Sequence, residues 1–301
     1  MSASVDTPEI CPHCGSGDVV LLFRARDALV SGDLFPIFRC QTCRLQFTGH
    51  RPAESELGRY YRSEEYLSHQ EQVHTLWERA YTLARRWGAG RKRAFLHRHT
   101  GFERGRLLDY GCGVGEFLRA LDRHGWEVWG VEPAEAARTR AERHLPGRIV
   151  TPEDLSVLSS LRFQVITLWH VLEHLYHPGD ILGRLAGLAA EGGWLIVAVP
   201  NAASWEAMRY GPNWAAWDVP RHVYHFTPER LRILLEEQNW TVRSVHTLPL
   251  DPWYICLLSE RQMGPAGSQV RGLFRGVRSW MKGLRNPEAG SSIVLVCQRP
   301  S

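Results

Sequence analysis

The segment LLDYGCGVG, Leu107 to Gly115, constrains the fold more than any other part of the 301-residue chain. An apolar run that reads as a short strand ends on an acid. Glycines at 111, 113 and 115 then lead into GEFLRALDRHG, which reads as a helix. The alternation continues through EVWGVEP, AEAARTRAERHL, RIV, FQVITLWHV, PGDILGRLAGLAAEGG and WLIVAVPN. Such a chain folds with right-handed crossovers into a doubly wound, mostly parallel α/β sheet with helices on both faces. Ligands of such sheets sit beyond the carboxyl ends of the strands, where the strand order reverses, and the exit of the Leu107 strand is the expected place.

The glycine spacing decides which ligand. A dinucleotide fingerprint, G-x-G-x-x-G, needs glycine at 116, where this chain has Glu116, and a carboxylate opening the helix would repel a pyrophosphate. The phosphate-binding G-x-x-x-x-G-K-[ST] pattern is missing as well. What remains is D-x-G-x-G-x-G followed by Glu132 at the end of the second strand. These residues resemble motif I of the class I S-adenosylmethionine-dependent methyltransferases, and the resemblance runs from about Arg106 to Asn201. It implies a seven-stranded Rossmann-like sheet and S-adenosyl-L-methionine as cofactor. By that resemblance Asp109, Gly111, Gly113 and Gly115 shape the cofactor loop, Glu132 takes the ribose hydroxyls, and Asp154 and Leu155 of EDL supply the adenine contact. The chemistry agrees, since this cofactor has no phosphate but carries an ammonium and two hydroxyls that carboxylates can hold.

LWHVLEHLYHP, after the fourth strand, resembles the post-strand motif of methyltransferases related to ubiquinone-type O-methylation. There His170 would face cofactor and substrate while Glu173 and His174 fix the loop. The N-P-P-Y sequence of base-amine methyltransferases is not at this position. The segment 202–226 interrupts the alternation with three of the chain's twelve tryptophans and two histidines, and reads as a wall over an acceptor site. Within it WDVPRHVYHFTPERL resembles a segment recurring in a bacterial methyltransferase family common among glycan and secondary-metabolite modifiers. Thr227 is placed to cap the next helix, with Pro228 at its first position. Methyl transfer needs chiefly positioning, plus a base if the acceptor must lose a proton. His170, His222 and His225 are the candidate catalytic residues, with Asp218 as an orienter.

Four of the seven cysteines form two C-x-x-C pairs, Cys11/Cys14 and Cys40/Cys43, with strand-like VVLLFRA and FPIFRC between them. Their spacing predicts a closed, structural Zn2+ site in a zinc-ribbon-like module over 1–50. His13 and His50 are alternative ligands, read instead as solvated. Residues 51–100 read as a helical linker or cap, in which Val73, Leu76, Trp77, Tyr81, Leu83, Ala84 and Trp87 form one stripe. Its end, Arg85 to Arg98, has six Arg or Lys and no acid. The methyltransferase domain follows over 101–301, with an insertion at 250–290.

Net charge is only +4, which indicates no global nucleic-acid-seeking field. No signal-like start or membrane-length apolar run is seen, so a cytoplasmic protein is expected. In VRGLFRGVRSWMKGLR, residues 270–285, apolar and basic residues separate at helical spacing. A helix covering the core is the first reading, and contact with an anionic membrane surface the second. The function expected is methyl transfer to a small-molecule or sugar-containing acceptor at oxygen. The alternatives are RNA methylation through the Arg85–Arg98 patch, sugar C-methylation, for which similar zinc-plus-methyltransferase layouts resemble longer chains, and a non-catalytic cofactor-binding protein.

Overall fold

The computed structural model describes residues 9–61 and 76–300, with the backbone alone at 61 and 76–87. The stripe from Val73 to Trp87 therefore lies outside the described side chains. At its heart is a seven-stranded sheet in the order β10-β11-β8-β7-β4-β5-β6. Strands β4 (Arg106–Tyr110), β5 (Glu127–Val131), β6 (Ile149–Val150), β7 (Phe163–Trp169) and β8 (Ala189–Pro200) pair in parallel. β11 (Ser292–Gln298) runs antiparallel to β8, and β10 (Thr241–Thr247) antiparallel to β11. From β4 the chain builds outward to β5 and β6, then returns to the other flank with β7, so the strand order reverses at β4.

Period-two alternation sends successive strand residues into two cores. Leu107, Val128, Val165 and Ile196 fill one, while Leu108, Val131, Ile166 and Leu195 fill the other. Helices α1 (Leu76–Thr100), α2 (Glu116–Asp122), α3 (Glu135–Glu142), α4 (Pro178–Leu188), α5 (Trp205–Tyr210) and α6 (Pro228–Glu237) accompany these strands. The cap expected before α6 is present, with Thr227 Oγ1 accepting from the Arg230 amide and Pro228 opening the helix. Between β10 and β11 the insertion forms a helical hairpin, α7 (Asp251–Gln262) and α8 (Gln269–Arg285). Among the described residues no helix is long and apolar enough to cross a membrane.

The N-terminal module is a second sheet, β1 (Val19–Arg26), β2 (Leu34–Cys40) and β3 (Gln46–Thr48), and it does not close on itself. Its fourth strand, β9 (Tyr224–His225), comes from the end of the 202–226 segment, with Gln46 opposite His225 and Phe47 opposite Tyr224. Trp214 and Trp217 are buried, packing with Phe35 and Ile37 of the module, while Ala215, Ala216, Asp218 and His222 of the same segment line a cavity. Phe23 meets Trp217 at 5.0 Å between ring centroids. At the centre of the seam Arg221, 1% exposed, pairs with fully buried Asp27 at 3.0 Å and Asp218 at 2.7 Å.

Candidate active site

The exit of β4 is shaped by backbone that only glycine adopts freely. Gly111 has φ +80°, and a Cβ there would lie 2.3 Å from Val171 Cγ2. Gly113 has φ +57° and faces open space on its Cβ side. Its amide donates to Glu132 Oε2 at 2.8 Å, while the Ala134 amide donates to Oε1 at 2.9 Å. The carboxylate is thereby fixed at the lip of the loop, and each oxygen keeps a lone pair for a hydroxyl. Burial pushes the Glu132 carboxyl up, against the two amides that stabilise its charge.

Asp109 lies deeper, 4% exposed, and accepts from Thr167 Oγ1 at 2.6 Å. Burial raises its pKa to about 6, opposed by Lys92 and by the Thr167 bond. Lys92 of α1 is the residue that sequence reasoning misplaced. It falls in a run that reads as a solvated helix end, yet its Nζ lies 4.7 Å from the Trp169 ring centroid and 5.8 Å from that of Phe117. Burial lowers its pKa, while Asp109, Asp251 and Glu116 favour its charge. An anion and a cation thus influence each other at the β4 exit, and an α-amino-acid group, carrying an ammonium and a carboxylate, has the matching chemistry. Of the expected adenine contact, Asp154 binds back to Thr151 (Oγ1 to Oδ2, 2.9 Å) as a turn cap. The Leu155 side chain is buried in the core, so only its backbone remains available to a ligand.

Beside this cleft is a cavity of about 1070 Å³, lined among others by His170, Glu173, Asp218, His222, Asp251 and Tyr254. His170 and Asp218 both hold left-handed backbone, φ +58° and +39°, which is uncommon for non-glycine residues and concentrates at functional sites. The His170 ring lies 3.4 Å from Asp251 and 3.6 Å from Glu173. Burial alone would lower its pKa, but those two carboxylates outweigh it and carry it up to about 10. His222 differs. Its Nδ1 is 3.0 Å from the Ala216 carbonyl, which accepts from Nδ1–H. Asp218 Oδ2 stands 3.8 Å from Nε2.

Glu173 is 2% exposed, and neither of its side-chain oxygens has a hydrogen-bond partner. Burial raises its pKa, but the surrounding imidazoles more than offset this and keep it below the usual carboxylate range. Ligand atoms of Glu173, His174 and His222 lie within 4.8 Å of one another, close enough to share a cation. His225 does not join them. It is a buried residue of β9 with Nε2 2.9 Å from Thr48 Oγ1, and pairing with the module turns it away from the cavity. Asp251, at the start of α7, was not anticipated, because nothing in the local sequence connects the insertion with the β7 exit.

The four module cysteines converge as their spacing predicted. Cys11 and Cys43 sulfurs are 3.6 Å apart, and those of Cys14 and Cys40 3.5 Å. A tetrahedral Zn2+ with Zn–S of about 2.3 Å has sulfur–sulfur edges of about 3.8 Å, so the set fits the ion. His13 contacts Arg230 and Glu237 and His50 faces Glu9, and neither belongs to the cluster.

The strand order, the glycine loop and the acid ending β5 define a Rossmann-like methyltransferase fold. The chain matches the family model described as Methyltransferase domain over residues 77–245, more than half its length, and belongs to that family of S-adenosylmethionine-dependent methyltransferases. A ubiquinone biosynthesis O-methyltransferase from Bradyrhizobium sp. (strain ORS 278) is 29% identical over 160 residues, 46% of this chain and 62% of that protein. One from Caulobacter sp. (strain K31) is 38% identical over 109 residues, 34% of this chain and 43% of that protein. The chain thus spans 43–62% of the length of these relatives. Magnesium protoporphyrin IX methyltransferase from Synechocystis PCC 6803 with bound SAH superposes with a TM-score of 0.52 at 14% identity, over 82% of this chain and all of that one. At that identity the likeness is one of fold.

Proposed function

We propose that the protein transfers a methyl group from S-adenosylmethionine to an oxygen of a small-molecule or sugar-containing acceptor held in the cavity beside β7. The observation that carries this reading is the gathering of Asp109, Lys92 and Glu132 at the β4 exit together with a cavity lined by His170, Asp218 and His222. When bound, the cofactor supplies an electrophilic sulfonium methyl. Asp109 takes its ammonium, Lys92 its carboxylate and Glu132 its ribose hydroxyls. His170, with a pKa of about 10, stays protonated near neutral pH and serves as a fixed cation and hydrogen-bond donor. His222 Nε2 receives the acceptor's proton, and Asp218 stabilises the imidazolium formed. The module and its Zn2+ hold the strand that follows His222. The O-methyltransferase names of the sequence relatives favour oxygen, and the inward turn of Lys92 removes a cation from the surface an RNA would need.

Calorimetric titration of the zinc-loaded protein with S-adenosylmethionine, and separately with NAD, tests the cofactor assignment. Binding of the methyl donor alone, weakened about tenfold or more in Asp109→Asn, Lys92→Gln and Glu132→Ala, is expected, since each loses a charge-assisted bond of about 1.5–3 kcal/mol. Because burial raises the Asp109 pKa to about 6, wild-type affinity should fall more steeply below that pH than that of Asp109→Asn. Binding of NAD, or equal binding by all variants, would overturn the assignment.

A further inference from the structure

Helix α8 is docked the wrong way round for a helix that covers a core. With about 100° between successive residues, its sequence divides into three stripes. Gly272, Gly276, Ser279 and Gly283 form one, and all four are buried. Val270, Leu273, Phe274, Met281 and Leu284 lie on the opposite side, and they are 65%, 50%, 70%, 43% and 60% exposed. Arg271, Arg275, Arg278, Lys282 and Arg285 run between the two along one flank, and the helix contains no acid.

The orientation is fixed by close backbone approach. A Cβ on Gly272 would lie 3.2 Å from Leu257 Cα, one on Gly276 3.1 Å from Trp253 Cα, and one on Gly283 3.2 Å from Gly290 Cα. Larger side chains cannot occupy that seam, so the helix cannot roll to bury its apolar face. Glu260, fully buried, takes Arg271 and Arg275 at 2.6 and 2.7 Å and ties the cationic flank at one end to α7. Arg278, Lys282 and Arg285 remain along the rest of that flank. The helices packed against α8 also carry exposed apolar side chains, Met208 on α5 at 72% exposure and Tyr254 on α7 at 55%. Tyr254 also lines the acceptor cavity, so the mouth of that cavity opens beside the same hairpin.

We propose that the α7–α8 hairpin seats the protein on an anionic lipid bilayer, with Leu273, Phe274, Met281 and Leu284 entering the interface and Arg278, Lys282 and Arg285 meeting lipid headgroups. A solvent-facing apolar stripe bordered by Arg278, Lys282 and Arg285 matches an anionic interface in both its parts. A second copy of the chain would bring the same cations against one another. The inference does not depend on the methyl-transfer reading, because docking is read without turnover.

Flotation of the zinc-loaded, full-length protein with vesicles of equal parts phosphatidylglycerol and phosphatidylcholine, against phosphatidylcholine alone, tests it. Binding to the anionic vesicles, declining with added salt, is expected. Leu273→Ser/Phe274→Ser should weaken it about tenfold or more by withdrawing two apolar side chains. Lys282→Glu/Arg285→Glu should abolish the preference for anionic lipid. All four positions are at least partly solvent-facing, so unchanged thermal unfolding and S-adenosylmethionine binding report intact fold and cofactor site. No vesicle binding, or binding equal in wild type and variants, would overturn the proposal. So would sedimentation as a dimer that Leu273→Ser/Phe274→Ser converts to monomer without any lipid affinity.

Discussion

Arg221 offers the most direct test of whether the module and the catalytic domain are one unit. Its guanidinium donates to Asp27 at 3.0 Å, to Asp218 at 3.0 and 2.7 Å, and to the Tyr60 carbonyl at 3.1 Å. Replacing it with methionine keeps the volume and removes the charge. Asp27 then keeps its turn bonds, including the Ser31 amide at 2.8 Å, but remains a fully buried carboxylate without a counter-ion. Breaking a buried pair from one side costs about 3–5 kcal/mol. At about 2.1 cal/mol/K of unfolding entropy per residue, a chain of 301 residues loses roughly 5–8 °C of melting temperature.

The pH dependence of the same substitution has a defined sign. Both carboxyls lie below their ordinary range. Burial raises Asp27, but the Ser31 amide and Arg221 outweigh it, and burial raises Asp218, but Arg221 and His222 outweigh it. Depressed carboxyls contribute stability above their unfolded value of about 3.9, and lose it as pH falls through the folded one. Urea unfolding followed by tryptophan fluorescence should show the full wild-type–Arg221→Met gap at pH 7 and a closing gap below about pH 4. A gap under ~1 kcal/mol at pH 7, or one that does not narrow in acid, would refute the argument that this pair joins the two parts.

Removal of Zn2+ by a chelator, or Cys40→Ser, should release β3 and with it β9. Protease cleavage near residues 218–226 should accelerate while S-adenosylmethionine binding persists, because the cofactor cleft is built from β4, β5 and α1. His222→Gln should lower methyl transfer to an oxygen acceptor about 10²–10⁴-fold without loss of cofactor binding, the range that general bases contribute. His225→Gln should cost stability before activity, since that ring serves the β3–β9 pairing. Equal kinetic loss in both variants would place the base elsewhere.

The contrast between what could and could not be read from sequence has a physical basis. The cofactor loop was legible because its requirements are local: an acid at a strand end, glycines where backbone must turn left-handed, and an acid one strand later. The cysteine cluster was legible for the same reason, as each C-x-x-C turn places two sulfurs by itself. Lys92, Asp251 and the β3–β9 pairing were not, because each depends on where a distant element lands. Lys92 sits in a run of cations that looks solvated in one dimension, and only the docking of α1 across the β4 exit turns it inward. The 202–226 segment was legible only in part. Ala215, Ala216, Asp218 and His222 line the cavity, while Trp214 and Trp217 pack against the module, a contact that depends on where a distant sheet lands. Helix α8 combines both effects. Its amphipathic period is plain, but period alone does not say which side is the seam, and a reading that assigns the core to the large apolar residues follows the usual case. Glycine and serine take the seam here because α7 and the Gly290 turn approach within backbone contact. Burial of the small residues and exposure of the large ones is thus a single geometric fact, and a chain that kept Phe274 at the surface for no partner would carry a standing liability to aggregate.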